Sequence, residues 1–406
     1  MPGASRLLPL LLAVAAAACS EAAGGPTATV SDSAGVQIVT STAPAWGKNE
    51  GWVIDSVPSL DIGGSDSDPH YDLLQVADPT LLSDGRMAVL NGGTFEVRYY
   101  DSTGTWLSSS GRKGEGPGEF EGPGGIFRLP GDTLLVYDYQ LRRMNRLAPD
   151  GAFLSSLSMA EANGGTMVFP FARLADGSWA ATIANYFTMA SKVGVTRPDQ
   201  VVVHLAPDLD QMGDTVVVLP GSEAWVETGG SGGQRFISVR SLPLGLSSPH
   251  TAGDSLLYGG DAAQFVIGVY RPDGTLVRSI RYPGGRQPVT DDILERVKAN
   301  ELSGESDHDR AGAEARWEKM PKAKELPAFE GMVVDADDNL WVTEGRALPE
   351  DSTVADVFDP AGKLLGSVAL PAGFTISEVG HDYILGVWKD EDGLEHVRKY
   401  SIGGKN

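Results

Sequence analysis

One short pattern recurs along this chain and leaves it few folds to choose from: a tight turn rich in Gly, Asp and Asn, followed at once by an apolar, strand-like run. It reads SDGRMAV (Ser83 to Val89), PGDTLLV (Pro130 to Val136), ADGSWAA (Ala175 to Ala181), AGDSLLY (Ala252 to Tyr258), ADDNLWV (Ala336 to Val342) and GHDYILG (Gly380 to Gly386). Most are followed by a second hairpin signal, in YYDSTGTWLSS, RLAPDGAFLSS, VYRPDGTLVRS and VFDPAGKLLGS. Two hairpins per unit make a four-stranded antiparallel meander. Neighbouring anchors lie roughly 45 residues apart where nothing is inserted, a spacing typical of propeller blades. The six anchors therefore predict an all-β chain, folded as a six-bladed β-propeller of four-stranded antiparallel blades. The 51 glycines and 25 prolines fit many short strands joined by turns.

Ring closure is also legible. After the sixth anchor the chain supplies ILGVWKDEDGLEHVRKYSI and no outer strand. The N-terminal WVIDSVPSLDIG, Trp52 to Gly63, reads as the missing strand, which would close the last blade and remove an exposed sheet edge. GVQIVTS, Gly35 to Ser41, adds one strand more. A helical insertion spans 288–324, between blades four and five. Thr290 caps a helix through DDILERVKANEL, and Pro321 ends a second over AGAEARWEKM. These helices sit near the channel mouth, as a packing brace or as a cover.

The N-terminus belongs to targeting. Arg6 precedes an apolar run from Leu7 to Ala18, about 12 residues, too short for the ~20 a bilayer demands but the length of a signal-peptide core. It ends in Ala16-Ala17-Ala18-Cys19-Ser20, which resembles a bacterial lipobox, where a lipidated cysteine becomes the mature N-terminus. Cys19 is the only cysteine, so disulfides are out of the question. Residues 1–18 thus read as a signal peptide, 19–34 as a lipidated tether and 35–406 as the propeller. The resemblance implies a cell-envelope protein held to the membrane through Cys19 alone, and the lack of Asp after Cys19 implies the outer membrane. A formal net charge of −22 repels phosphate backbones, which excludes nucleic acid as a partner.

Two stretches carry a resemblance in the blades. LLVYDYQLRRMNRLAPDG, Leu134 to Gly151, resembles an NHL-type repeat, with Asp138, Arg143 and Met144 at that family's Asp, Arg and Ile positions. LPAFEGMVVDADDNLWVTE, Leu326 to Glu344, resembles the blade entry of the same superfamily and of gluconolactonase-like propellers. GEGPGEF, Gly114 to Phe120, is similar to a joint in bacterial six-bladed propeller lipoproteins. A strand and hairpin, GGIFRLPGD, follow this glycine-rich joint where a phosphate loop needs a helix. It therefore reads as a crossover between blades, with GGSDSDPHYD, Gly63 to Asp72, as its counterpart before the first.

In a four-stranded meander both hairpin turns lie on one face, while the middle loop and the crossover lie on the other. The opposite face gathers Asn91, Asp138, Tyr139 and Glu344 from middle loops, and Asp68, His70, Tyr71, Arg112, Lys113, Glu119 and Phe120 from crossovers. This is the candidate ligand-binding face, and Asp138 with Arg143 reads equally as an internal brace. Other motifs are turns or solvated surface: the GxSxG match at Gly229 to Gly233 lacks the strand-to-helix elbow of a nucleophile. DSDPHYD lacks the glycine and closing glutamate of a calcium loop. The leading expectation is a non-catalytic binding module for an envelope protein, peptide or glycan, without cofactor. The gluconolactonase resemblance implies an alternative, a hydrolase or lactonase with a divalent cation such as calcium at the channel mouth, held by Glu330 with Asp138 or Glu344. A structural scaffold is the third.

Overall fold

The computed structural model describes residues 27–405 except 49, 66, 160–165, 184–192, 210, 232–233 and 285. Four short strands come first: β1 (Ala28–Ser33), β2 (Val36–Ser41), β3 (Gly51–Ile54) and β4 (Leu60–Gly63). Then comes a meander of β5 (Val76–Leu81), β6 (Met87–Asn91), β7 (Glu96–Tyr100) and β8 (Trp106–Ser110), which form the first sheet in that order. The second sheet repeats it with β9 (Pro123–Arg128), β10 (Leu134–Asp138), β11 (Arg143–Leu147) and β12 (Phe153–Ser158). The third contains β13 (Val168–Arg173), β14 (Trp179–Ile183), β16 (Asp199–Leu205) and β17 (Met212–Pro220). An accessory three-stranded sheet grows from its loops: β15 (Gly194–Thr196), β18 (Ala224–Ser231) and β19 (Gln234–Ser241).

The fourth sheet has β20 (His250–Ala252), β21 (Leu257–Gly260), β22 (Val266–Tyr270) and β23 (Leu276–Arg281). Helices α1 (Asp291–Ser303) and α2 (Asp307–Lys319) follow, capped by Thr290 and Ser306. The fifth sheet is β24 (Phe329–Val334), β25 (Leu340–Glu344), β26 (Val354–Phe358) and β27 (Leu364–Ala369). The sixth is β28 (Phe374–Val379), β29 (Tyr383–Lys389) and β30 (Glu395–Lys405), completed by β3 and β4. Each of the six anchor turns joins the first two strands of a sheet, because turn chemistry is local.

These sheets form a closed circle. The first strand of each touches the first strand of the next, from β5 through β9, β13, β20, β24 and β28 and back to β5. Each seam holds its own apolar cluster: Leu90 and Tyr99 meet Ile126 and Val136 between the first two sheets, and Leu385 and Val397 meet Met87 and Val89 across the closure. Central strands such as β6 are buried at every position, since both faces meet a neighbouring sheet. The arrangement is a β-propeller.

The N-terminal segment departs from expectation. Trp52 to Gly63 does close the sixth sheet, but as two strands: β3 pairs the end of β30 and β4 its beginning. β2 goes elsewhere, running parallel to β23 on the fourth sheet, with β1 outside it. β1 begins at Ala28, within the segment read as tether. Between these pairings, the Ala45 and Trp46 amides donate to Leu364 and Leu365 carbonyls of β27. Residues 27–63 therefore pass along the outer edges of the fourth, fifth and sixth sheets in turn. Gly229 to Ser231 of the glycine tract pair within the β18–β19 ladder, and Gly232 and Gly233 lie outside the described residues. No helix among the described residues is long and apolar enough to cross a membrane.

Candidate functional site at the channel mouth

Three of the residues expected on the ligand-binding face are buried instead. Asn91 accepts from the Leu74 amide at 2.8 Å and donates to the Asp72 carbonyl at 3.1 Å. Asp138 accepts from the Glu121, Gly122, Gln140 and Leu141 amides at 2.8, 3.2, 3.0 and 2.9 Å. Both are fully buried, as is Phe120, which packs into the seam between the first two sheets. The reason is that in the first two sheets the crossover loop folds down over the end of the second strand, and its backbone groups need partners there. Arg143 completes the brace by donating to the Glu115, Gly116 and Glu119 carbonyls.

The other crossover residues lie nearer the surface. Asp68 accepts from the His70 amide at 3.0 Å, and the His70 ring stacks on Trp106 at 3.8 Å. Tyr71 packs beside Tyr100, its hydroxyl accepting from the Trp106 amide. Arg112, 79% exposed, pairs with Glu119 at 2.6 Å, and Lys113 lies over the Phe95 ring. The Arg112 hydrogen bond, with the Gly116 amide, holds the Glu119 carboxyl below its ordinary range. Tyr139 is half-buried against Phe169. These residues shape three separate loops and do not converge on one pocket. Asp66 and Cys19 lie outside the described residues.

A cavity of about 500 Å³ opens instead beside the fifth and sixth sheets. Its walls include Pro327, Met332, Leu348, Phe374 and Ile376, with Leu244 from the third-to-fourth crossover. Glu330 and Arg346 stand in it, paired at 2.8 Å. A β-bulge between Phe329 and Gly331 leaves Glu330 outside the ladder and re-aims its side chain. Burial raises the Glu330 pKa, and Arg346 opposes the rise. The insertion helices reach the rim, where Val297 of α1 and Trp317 of α2 pack with Leu348, joined by Leu244.

The metal expectation meets this geometry badly. Arg346 occupies the space in which a cation would meet Glu330, and Asp138 is spent on four amides. Among the described residues no group of three or more His, Cys, Asp or Glu could hold a metal ion. Glu344 is half-buried, its pKa raised by burial and then by Asp356.

One channel residue escaped sequence reasoning. Asp78 lies in a bulge of the innermost strand β5 with φ of 42°, a left-handed conformation costly for a residue with a Cβ. Its carboxylate is open to water yet surrounded by protein, as a group recessed in a channel is. Burial raises its pKa, and its Oδ2 meets the Ile126 amide only at 3.4 Å. The signal was Pro79: proline inside a strand marks an edge or a bulge.

No protein-family model and no curated protein sequence matches the chain. Among solved structures it is similar to a member of the DUF4221 family from Bacteroides vulgatus, with 9% identity over 88% of this chain and 100% of that one, at a TM-score of 0.51. It also aligns with a gluconolactonase from Xanthomonas campestris (14% identity, 85% and 99% coverage, TM-score 0.40). A virginiamycin B lyase from Staphylococcus aureus aligns at 9% identity, 86% and 99% coverage and a TM-score of 0.40. The first likeness bears on the fold alone, and the other two carry no argument. Its own ring of four-stranded sheets, closed by its N-terminal strands, makes this chain a member of the β-propeller class.

Proposed function

We propose that the chain is a six-bladed, NHL-like propeller lipoprotein of the cell envelope, anchored through Cys19 at the outer membrane, whose crossover face binds a peptide or glycan segment without turning it over. The six sheets and the six apolar seams between them support the blade count. One observation carries the binding reading: the 500 Å³ cavity combines apolar walls with a single charge pair and is flanked by the insertion helices. Sites for such segments are built this way, apolar surface giving affinity and a few fixed polar groups giving orientation. Glu330 and Arg346 offer an acceptor and a donor side by side, suited to the amide groups of a peptide or the hydroxyl and acetamido groups of a glycan.

A metal-dependent lactonase has less support, because Glu330 is neutralised by Arg346 and lacks companion ligands among the described residues. The test is a calorimetric screen of short peptides and cell-wall oligosaccharides against the wild type and Thr375→Trp, whose indole would fill the cavity from an exposed position on β28. Saturable binding by the wild type, lost in the variant at an unchanged melting midpoint, is the expected result. Binding that survives the substitution, or calcium-dependent turnover of a lactone, would sink the reading.

A further inference from the structure

Three sheets share a polar layout that their registers align. Val89, Val136 and Val342 of the second strands stand opposite Arg98, Asn145 and Asp356 of the third. These in turn face Ser109, Ser156 and Ser367 of the fourth. Two residues beyond each valine, on the same sheet face, come Asn91, Asp138 and Glu344.

In the first two sheets this set is a latch of one acceptor and one donor. Asn91 and Asp138 accept from the incoming crossover loop, while Arg98 and Asn145 donate to its carbonyls, those of Asp72 at 2.7 Å and Glu119 at 3.1 Å. In the fifth sheet both positions are acids. The latch they would make is replaced from elsewhere: the Leu326 amide donates to the Gln287 carbonyl at 2.8 Å, the Val289 amide to the Lys324 carbonyl at 2.9 Å, and Arg286 to the Leu326 carbonyl at 2.7 Å. Glu344 and Asp356 are thereby left with no crossover group to hold.

Their surroundings do not neutralise them. Asp356 is 1% exposed, and its Oδ1 accepts from Ser367 at 2.6 Å while its Oδ2 has no partner. Among the described residues neither acid has a Lys or Arg partner within ion-pair distance. Positions diagonal across two antiparallel strands are about 7–8 Å apart, near enough for two carboxylates to share one ligand. Tyr282 stands beside both: after burial, the two carboxylates are what raise its pKa. Uncompensated buried carboxylates are costly, so the pair is relieved either by keeping a proton or by gaining a positive partner.

We infer that Glu344 and Asp356 bind a hard divalent cation, calcium by preference, at the seam between the fourth and fifth sheets. The cation takes the place that the Arg98 guanidinium and the Asn145 amide fill in the sister sheets. All the available donors are oxygens, and the half-exposed Glu344 leaves a side open to water ligands, which calcium accepts more readily than magnesium accepts irregular geometry. The site is separate from the cavity of Glu330 and would serve to fasten the seam.

Titrating the metal-stripped full chain with calcium chloride alone, by calorimetry and by melting, tests this. The wild type should bind saturably and melt several degrees higher. Glu344→Gln should weaken binding by about tenfold or more. Asp356→Asn, which installs the donor-bearing side chain of the second sheet, should abolish the calcium response while melting above the metal-free wild type. Absent binding, equal binding by Asp356→Asn, or loss of binding in Glu330→Gln would each overturn the proposal. So would a melting rise produced by acid and not by calcium, which would mean a shared proton. Peptide and glycan binding in the cavity reads out independently of every one of these results.

Discussion

Asp138 organises more of the chain than any other single carboxylate in the first two sheets. Four amides point at its two oxygens, two from the crossover loop and two from the middle loop. Asp138→Ala would strand all four in a buried place, and we expect a loss of about 3 kcal/mol or more in urea unfolding, with Asp138→Asn milder. Its motif was plain in the sequence, which left both a brace and a ligand-binding role open to it. Whether such an acid braces a loop or meets a ligand depends on where residues 119–122 fold, and no local pattern encodes that. Acidity gives a second prediction. Burial, the largest cause in each case, raises the pKa values of Asp78, Glu330, Glu344, Asp356 and Glu378. Such a group holds its proton more tightly when folded, so its contribution is fully present below the unfolded value and is lost as pH rises through the folded one. His250, whose pKa burial lowers, acts oppositely below its ordinary 6.5. Comparing metal-free wild type with Asp356→Asn isolates one acid. The variant's stability advantage should grow as pH rises from about 3.8, the ordinary aspartate value, toward neutrality; a constant difference would contradict the assignment.

At the scale of elements, the six anchor hairpins were readable because two to four residues set each turn. The destination of β2 was not, since Gln37 pairs with Arg278 and nothing near either residue announces the other. The accessory sheet was hidden for a related reason: a glycine-rich stretch reads as a loop, whereas Ala224 to Ser231 pair with Gln234 to Ser241 as β18 and β19. The segment between β2 and β3 depends on Trp46, whose ring lies edge-on to Trp52, itself stacked on Trp341 at 5.4 Å. Gly366 of β27 makes room for it; a Cβ there would come within 2.2 Å of the Trp46 ring. Gly366→Ala should therefore lift Trp46 away, costing about 2 kcal/mol and shifting tryptophan emission toward that of exposed indole. Trp317→Ala, by emptying the contact of α2 with Leu348, should speed hydrogen exchange across 291–319 and leave the sheets protected.

For the whole molecule, the closed ring of first strands makes every sheet a neighbour of two others, and cooperative unfolding follows. Removing residues 27–48 would strip the fourth and fifth sheets of their outer cover while leaving β3 and β4 on β30. We expect a lower melting midpoint with one transition kept. Removal through Gly63 should abolish the single transition, because the sixth sheet then loses its outer strands. The repeat and the closure were both legible from sequence, since each unit opens on the same kind of turn and the last lacks a strand. The passage of the N-terminal segment over three sheets was not, because each contact depends on a partner hundreds of residues later.

That passage also has a consequence in time. Strands β3 and β4 wait for the much later β30: Trp52 waits for Gly404, and Asp61 for Arg398. No amount of early assembly in the middle of the chain can finish the ring while its end is still being synthesised or threaded. Closing so long a loop is slow. Until it closes, the free edge of β30 and the waiting strands of the N-terminus are both exposed, and a second nascent copy presents the same two halves. The chain should accordingly refold in a fast phase that builds the separate sheets and a slower, concentration-sensitive one that joins the ends.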